Sequence, residues 1–332
     1  MNKRIQTIIL IATLLLTMLF CQKKDDPYKV PALIPTPENN KLTPERIELG
    51  KSLYFDPRLS GSNWISCATC HNPGLGFSDG LPTALGHGMK FLDKNSPTIY
   101  NTAFQKTQFW DGRAATLEEQ AAGPIQAPGE MNQNVDELVK ELSAIGGYKI
   151  LFDKAYPGEG ITLATITKAI ASYERTIVAR DSPFDRWRAG NKNAISDSAK
   201  NGFALFEGKA RCVICHSGFN FTNNNFHNLG IKKDKPDPGR FAVTKVQMNL
   251  GAFKTPTLRN VALSAPYMHN GMYKTLEEVI EHYDRGGDDK TNLDPQMKPL
   301  ALTVQEKKDL VEFMKSLTDV RPITVTYPVL PL

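Results

Sequence analysis

Apolar residues recur at helical spacing in several separated stretches of this chain. Leu163, Ile166, Ile170, Tyr173 and Ile177 form one stripe, which predicts a helix over 162–180. Leu276, Val279, Ile280 and Tyr283 share a face by i, i+3, i+4, i+7 spacing, so their helix turns Tyr283 inward and His282 away. Ile47, Leu49 and Leu53 offer a packing face for a helix over about 44–54. Local start signals agree with these periods. Thr43-Pro44 supplies an N-cap followed by proline at the first helical position. Asn134-Val135-Asp136-Glu137, Thr275-Leu276-Glu277-Glu278 and Thr303-Val304-Gln305-Glu306 read as capping boxes, opening helices to about 143, 284 and 317. A short helix at 117–121, a turn over 124–131 carrying Glu130, and a helix over 148–156 complete the pattern. Strand-like alternation is scarce, so the fold class is mainly α.

Between the helices, 72–108 and 217–260 are rich in Gly, Pro and Asn. Loops of that length inside a compact domain are usually functional. The first holds His87 between Gly86 and Gly88, on a backbone free to move. A lone His in such a loop is ordinarily just a polar surface residue. A weak internal repeat is also present. Gly50-Lys51-Ser52-Leu53-Tyr54 precedes one Cys-containing turn and Gly202-Phe203-Ala204-Leu205-Phe206 precedes another. With a boundary at Asp181-Ser182-Pro183, the expected domains are 43–181 and 182–320. Residues 22–42, with Pro27, Pro31, Pro35 and Pro37, read as an extended tether, and 321–332 as a tail.

Both repeats lead into Cys-x-x-Cys-His. The first is Ser66-Cys67-Ala68-Thr69-Cys70-His71 and the second Cys212-Val213-Ile214-Cys215-His216. This is the attachment signature of a c-type haem: two thiols add to the vinyl groups and the adjacent His takes the iron. A redox pair or half of a zinc site is the plainer reading of one copy. A zinc site built from four cysteines has no use for the paired histidines. The expectation is therefore two covalent haem c groups, with His71 and His216 as proximal ligands. The sixth iron position decides function: two protein ligands favour electron transfer, and an open position beside polar groups favours peroxide chemistry. His87, His227, His269, His282, Met268, Met272, Met297 and Tyr283 are the candidates for it. An inward Tyr is more often core, and Trp110 has packing as its ordinary role.

Composition narrows the class. The chain has 332 residues, enough for two domains, with 41% hydrophobic and 23% charged residues. A net charge of +5 without a dense basic stripe gives no reason to expect a nucleic-acid partner. Residues 1–21 read as a targeting segment: Lys3 and Arg4 precede an apolar run from Ile8 to Phe20 that is short for a membrane span. The run ends at Cys21, placed like the lipidated cysteine of a bacterial lipoprotein, although Phe20 stands where a small residue is usual. An ordinary cleaved signal and an uncleaved anchor are the alternatives. Each implies export to the periplasm, where c-type haem attachment takes place.

The motifs together resemble the bacterial dihaem cytochrome c peroxidase family. The resemblance covers most of 43–318. It rests on Leu53-Tyr54-Phe55-Asp56-Pro57-Arg58-Leu59-Ser60, the first haem motif with Asn72-Pro73, Asn95-Ser96-Pro97-Thr98 and Phe109-Trp110-Asp111-Gly112-Arg113. Pro256-Thr257-Leu258-Arg259-Asn260 and Ala265-Pro266-Tyr267-Met268-His269-Asn270-Gly271 add to it. It implies two cytochrome c-like domains: a peroxidatic haem held by Cys67, Cys70 and His71, and an electron-accepting haem held by Cys212, Cys215 and His216. It implies that His87 is a removable distal ligand, Trp110 a bridge between haems, and Gln120 and Glu130 the distal pair. Asn95, with the carbonyls of Ser264 and Pro266, matches an interdomain calcium site, which suits a hard cation. The implied partners are hydrogen peroxide and a small cytochrome c or cupredoxin donor; the sequence leaves the oligomeric state open, a homodimer among the options.

One feature departs from the peroxidases. Their second haem usually has a Met ligand, whereas the corresponding helix here offers Tyr283 within His282-Tyr283-Asp284-Arg285-Gly286-Gly287. That resembles the related dihaem enzyme which oxidises tryptophans in a precursor protein. Met268, Met272 and Met297 keep Met ligation open. Three readings follow: peroxide reduction, an oxidase acting on a protein or organic substrate, and a non-enzymatic electron carrier or peroxide sensor. A carboxyl group beside the iron can take a proton from one peroxide oxygen and return it to the other, so Glu130 and Gln120 weigh against the carrier.

Overall fold

The computed structural model describes residues 26–232, 237–321 and 323–332, so the targeting segment and Cys21 lie outside the described residues. Thr43 accepts a hydrogen bond from the Arg46 backbone and Pro44 opens α1 (Pro44–Phe55). Ser66 and Thr69 form a reciprocal box around the single turn α2 (Cys67–Cys70). Then come α3 (Leu117–Gln126), α4 (Val135–Ser143), α5 (Gly146–Ala155) and α6 (Leu163–Glu174). Leu49 and Leu53 of α1 are fully buried with Leu138, Leu142, Phe152, Ile166 and Ile170. Each such side chain stabilises the fold by about 1.5–3 kcal/mol.

The second unit contains α7 (Pro183–Arg188), α8 (Asp197–Glu207), α9 (Phe241–Thr244), α10 (Leu276–Asp284) and α11 (Val304–Ser316). Its core is aromatic: Phe184, Phe203, Phe206, Phe221 and Phe313 meet mostly edge to face. β1 (Phe226–His227) and β2 (Phe253–Lys254) pair antiparallel, with Phe226 opposite Lys254.

The weak repeat in the sequence corresponds to one packing device used twice. A Cβ on Gly50 would stand 1.8 Å from the Ala169 carbonyl oxygen, where α1 crosses α6. A Cβ on Gly202 would stand 1.9 Å from the Asp309 carbonyl oxygen, where α8 crosses α11. Only glycine permits backbones this close, and each crossing helix leads directly to a Cys-x-x-Cys-His turn. The mainly helical class and the two cytochrome c-like units are borne out.

Several boundaries differ from the expectation. α6 stops at Glu174 rather than at 180. The Thr176 hydroxyl donates to the Tyr173 carbonyl at 2.7 Å, and Ile177 is buried beyond the helix end. Periodicity alone does not reveal that a turn continues the apolar stripe. α3 runs on through Pro124 to Gln126, although Pro124 cannot donate to the Gln120 carbonyl.

The expected tether is packed against both units. Tyr28 is 4% exposed within the aromatic core of the second unit, and Arg259 donates to its carbonyl at 3.2 Å. Asn40 is buried in the first unit, where its amide donates to Glu118 at 2.8 Å and to the Lys168 carbonyl at 2.9 Å. The tail runs back from the second unit to the first. Gly147 N–H donates to the Leu332 carbonyl at 2.9 Å, and Arg58 donates to the Pro331 carbonyl at 3.0 Å. The stretch from Tyr28 to Asn40 and the C-terminal tail therefore each strap the units together. No helix among the described residues is long and apolar enough to cross a membrane.

Candidate active site

Each motif folds into a tight turn that presents its histidine to a shared cavity. His71 N–H donates to the Cys67 carbonyl at 2.9 Å, and His216 N–H to the Cys212 carbonyl at 2.8 Å. The Nδ1 atoms are held from behind: His71 by the Pro97 carbonyl at 3.0 Å and His216 by the Phe221 carbonyl at 2.9 Å. A carbonyl partner fixes the proton on Nδ1, leaving the Nε2 lone pair available to a metal. Among the described residues neither Nε2 has a hydrogen-bond partner. Burial keeps both rings neutral, lowering His71 and bringing His216 down to about 4. Paired thiols beside a neutral, oriented imidazole are a donor set that fits a c-type haem at each motif.

The cavity has a volume of about 1000 Å³ and lies between the two units. That is the upper end for a ligand site. Cys70, His71, Trp110, Gln120 and Glu130 line one part, and Cys212, Cys215, His216 and Tyr283 another. Glu130 follows the end of α3, and burial holds its carboxyl above the usual range, with Arg113 partly opposing. Trp110 sits where the units meet. Its indole N–H donates to the Asn95 carbonyl at 2.9 Å, its own carbonyl accepts from Lys254 N–H at 2.8 Å, and the His269 ring stands edge-on to it at 6.4 Å.

His87 is placed differently from the rest. It does not line the cavity. Its backbone N–H is held by the Gly129 and Glu130 carbonyls at 3.0 and 2.9 Å, and the Asn132 amide reaches its Nε2 at 3.2 Å. Its Nδ1 is buried and meets no hydrogen-bond partner among the described residues. Tyr283 lines the cavity beside Cys212 and Cys215, where burial keeps its phenol protonated well above the ordinary tyrosine range. Met268 and Met297 also line it; Met272 does not. His227 is engaged by Asp294 at 2.7 Å and His269 stacks on Phe253 at 3.6 Å.

His282 does not point away as its helix position suggests. It is fully buried, with Tyr273 Oη 2.9 Å from Nδ1 and the Leu229 carbonyl 2.9 Å from Nε2. Both partners come from outside α10, so helix periodicity carries no trace of them. Asn95, Ser264 and Pro266 share the cavity wall. The Asn95 amide donates to the Leu81 carbonyl at 2.9 Å, which leaves its side-chain oxygen as an acceptor. No cluster of three or more His, Cys, Asp or Glu suited to a metal occurs among the described residues.

The arrangement can be set beside known proteins. The family model for di-haem cytochrome c peroxidase matches residues 44–193, and the one for cytochrome c matches 199–318. The methylamine utilization protein MauG of Methylorubrum extorquens is 46% identical over 306 residues, 92% of this chain and 86% of that protein. The chain belongs to the di-haem cytochrome c peroxidase family. Like other members of the family it is an oxidoreductase, and its two cytochrome c units imply two c-type haems. Cytochrome c551 peroxidase of Pseudomonas aeruginosa is 38% identical over 312 residues, 91% of this chain and 86% of that protein. Among solved structures, a MauG-like protein associated with microbial copper homeostasis superposes with a TM-score of 0.83 at 30% identity, covering 90% of this chain and 96% of its own. This member of the di-haem peroxidase family is thus similar both to proteins named peroxidase and to proteins named MauG.

Two buried ionisable groups in the wall were not singled out from the sequence. Glu174 is 6% exposed and burial raises its carboxyl to about 8. It stands four residues after Ile170, on the buried side of α6, and a charged residue at such a position is the signal that could have found it. Lys254 is 7% exposed, and nothing in the alternation around it marks it.

Proposed function

We propose that this protein reduces hydrogen peroxide to water, using electrons from a small exported cytochrome c or cupredoxin. The observation that carries the reading is the placement of Glu130 and Gln120 on the wall shared with His71. When bound, the haem at the first motif supplies a redox-active iron at which the O–O bond is cleaved. The chain supplies the rest. Gln120 orients peroxide through a neutral hydrogen bond. Glu130 accepts the proton of one peroxide oxygen and gives it to the other, which leaves as water. The second oxygen leaves as water after two further protons and two donor electrons have arrived. Burial suits Glu130 to this exchange, because it raises the carboxyl above the usual range and so makes it a better proton acceptor than an exposed carboxylate.

Electrons enter at the second motif and pass the Trp110 indole toward the first. The Asn95 side chain and the carbonyls of Ser264 and Pro266 would hold a calcium ion at the junction. Residues 1–21 direct export to the periplasm, and Cys21 stands where a lipoprotein would carry its lipid.

Tyr283 favours a second reading. It lies beside Cys212 and Cys215, and the chain is 46% identical to a protein named for methylamine utilization. A tyrosine at this place resembles that of the related dihaem enzyme which oxidises a precursor protein, so the second reading is an oxidase acting on a protein or organic substrate. Stopped-flow reaction of the oxidised and half-reduced protein with peroxide, followed by reduced cytochrome c, separates the two. Peroxide-dependent donor oxidation is the expected result. Peroxide consumption with no donor oxidation would move the function to the second reading.

A further inference from the structure

Three Lys or Arg side chains are nearly buried among the described residues: Arg259 at 0%, Arg175 at 5% and Lys254 at 7%. Arg259 is paired with Asp185 at 2.6 Å and Arg175 with Glu118 at 2.8 Å. Lys254 has no carboxylate within ion-pair reach among the described residues. Its Nζ donates to the Gln105 side-chain oxygen and, at 2.7 Å, to the Thr107 carbonyl. An ammonium has three N–H groups, so one remains unassigned, and Lys254 is on the cavity wall. Asp111 attracts it from a distance but is itself engaged by Arg113 at 3.1 Å. Burial pulls Lys254 down to about 7, the expected fate of a cation without a partner. A buried ammonium left without an anion is costly, and an anion in good geometry with the remaining N–H satisfied offsets that cost.

We propose that Lys254 is the counter-ion of a haem propionate at the junction of the two units. Every haem brings two propionates, and each needs a cation or water when buried. Lys254 is built for the junction. Its backbone belongs to β2, two residues before Pro256, whose backbone approaches His216 of the second motif. Its ammonium is held by Gln105 and Thr107 of the first unit, and its N–H holds Trp110. Other cations on the wall already have partners or reach solvent: Lys94 pairs with Asp237 and Arg113 with Asp111. Lys254 is thus a positioning residue that fixes one haem edge beside Trp110, and its charge favours the reduced state of that haem. The inference rests on the two c-type haems and not on which reaction the protein catalyses.

The test compares Lys254→Met and Lys254→Arg in the haem-loaded protein, after confirming equal covalent haem content. Midpoint potentials of both haems are measured by spectroelectrochemical titration at several pH values. Lys254→Met should shift one haem to lower potential and give it a new pH dependence, as the unpaired propionate takes up a proton on reduction. Lys254→Arg should keep the parent values. The haem that shifts identifies the owner of the propionate. Unchanged potentials and unchanged pH slopes for both haems in Lys254→Met overturn the proposal. If Lys254→Met fails to fold, Lys254→Gln keeps an uncharged hydrogen-bond donor facing Gln105 and Thr107 and is read in the same way.

Discussion

The indole N–H of Trp110 donates to the backbone carbonyl of Asn95 at 2.9 Å. One hydrogen bond thus joins the proposed electron bridge to the proposed calcium ligand. The Asn95 N–H in turn donates to the His269 carbonyl at 3.0 Å, across the junction of the units. A cation on the Asn95 side chain would hold this segment, and through it the plane of the indole. Removing calcium with a chelator should therefore slow electron transfer between the haems, and added calcium should restore it. Stopped-flow reduction monitored at both haems measures this. An unchanged inter-haem rate after verified calcium loss would contradict the calcium assignment.

His87 is expected to occupy two positions, and the structure describes the one away from the cavity. There the Asn132 amide holds its Nε2 at 3.2 Å. Removing that amide should release the ring toward the iron. Asn132→Ala should increase the low-spin, six-coordinate fraction of the first haem, and His87→Gly should leave it high-spin and reactive from the oxidised state. Electron paramagnetic resonance of the oxidised proteins distinguishes the two. Identical spectra for the parent and both variants would show that His87 never reaches the iron.

Tyr283 sits on a capped helix and its neighbour His282 is anchored to Tyr273 and Leu229. A side chain held this way stays in place through the redox cycle. Tyr283→Phe should change the spectrum of the second haem and raise its potential, because an iron bound to Tyr283 would displace the phenol proton that burial otherwise retains, and the resulting phenolate stabilises the oxidised iron. A Met-type near-infrared band that persists in Tyr283→Phe would return the assignment to Met268 or Met297, which also line the cavity.

Glu174 gives the stability of the protein a pH dependence. Burial raises its carboxyl from 4.5 to about 8, so the folded state holds the proton more tightly than the unfolded one. Its contribution is fully present below pH 4.5 and is lost as the pH rises to about 8. Thermal denaturation should show a loss on the order of a few kcal/mol across that window in the parent protein. Glu174→Gln, which has the same shape and no proton to lose, should be flatter. Parallel curves for the two proteins would mean that Glu174 titrates normally.

Much of this architecture is legible in the chain because its signals are local. Thr43-Pro44, Thr275 with Glu278 and Thr303 with Glu306 mark helix starts that recur in the structure, since a cap involves only residues within one turn. The two Cys-x-x-Cys-His motifs are equally self-contained. What the sequence hides is long-range. Nothing near His282 announces the Leu229 carbonyl, 53 positions away. Nothing in the Pro-rich stretch around Tyr28 announces an aromatic pocket formed by Phe184, Phe203 and Phe221. Lys254 and Glu174 stand out only once the cavity walls are assembled.

The central claim is that Glu130 moves the proton that lets the O–O bond break. Its most direct test is peroxide-dependent oxidation of a reduced small cytochrome c, by the parent protein and by Glu130→Gln, with haem spectra recorded on the same samples. The account predicts that the parent turns over and that Glu130→Gln is slower by about 10²–10⁴ with nearly unchanged spectra. A Glu130→Gln protein that turns over at the parent rate would contradict it.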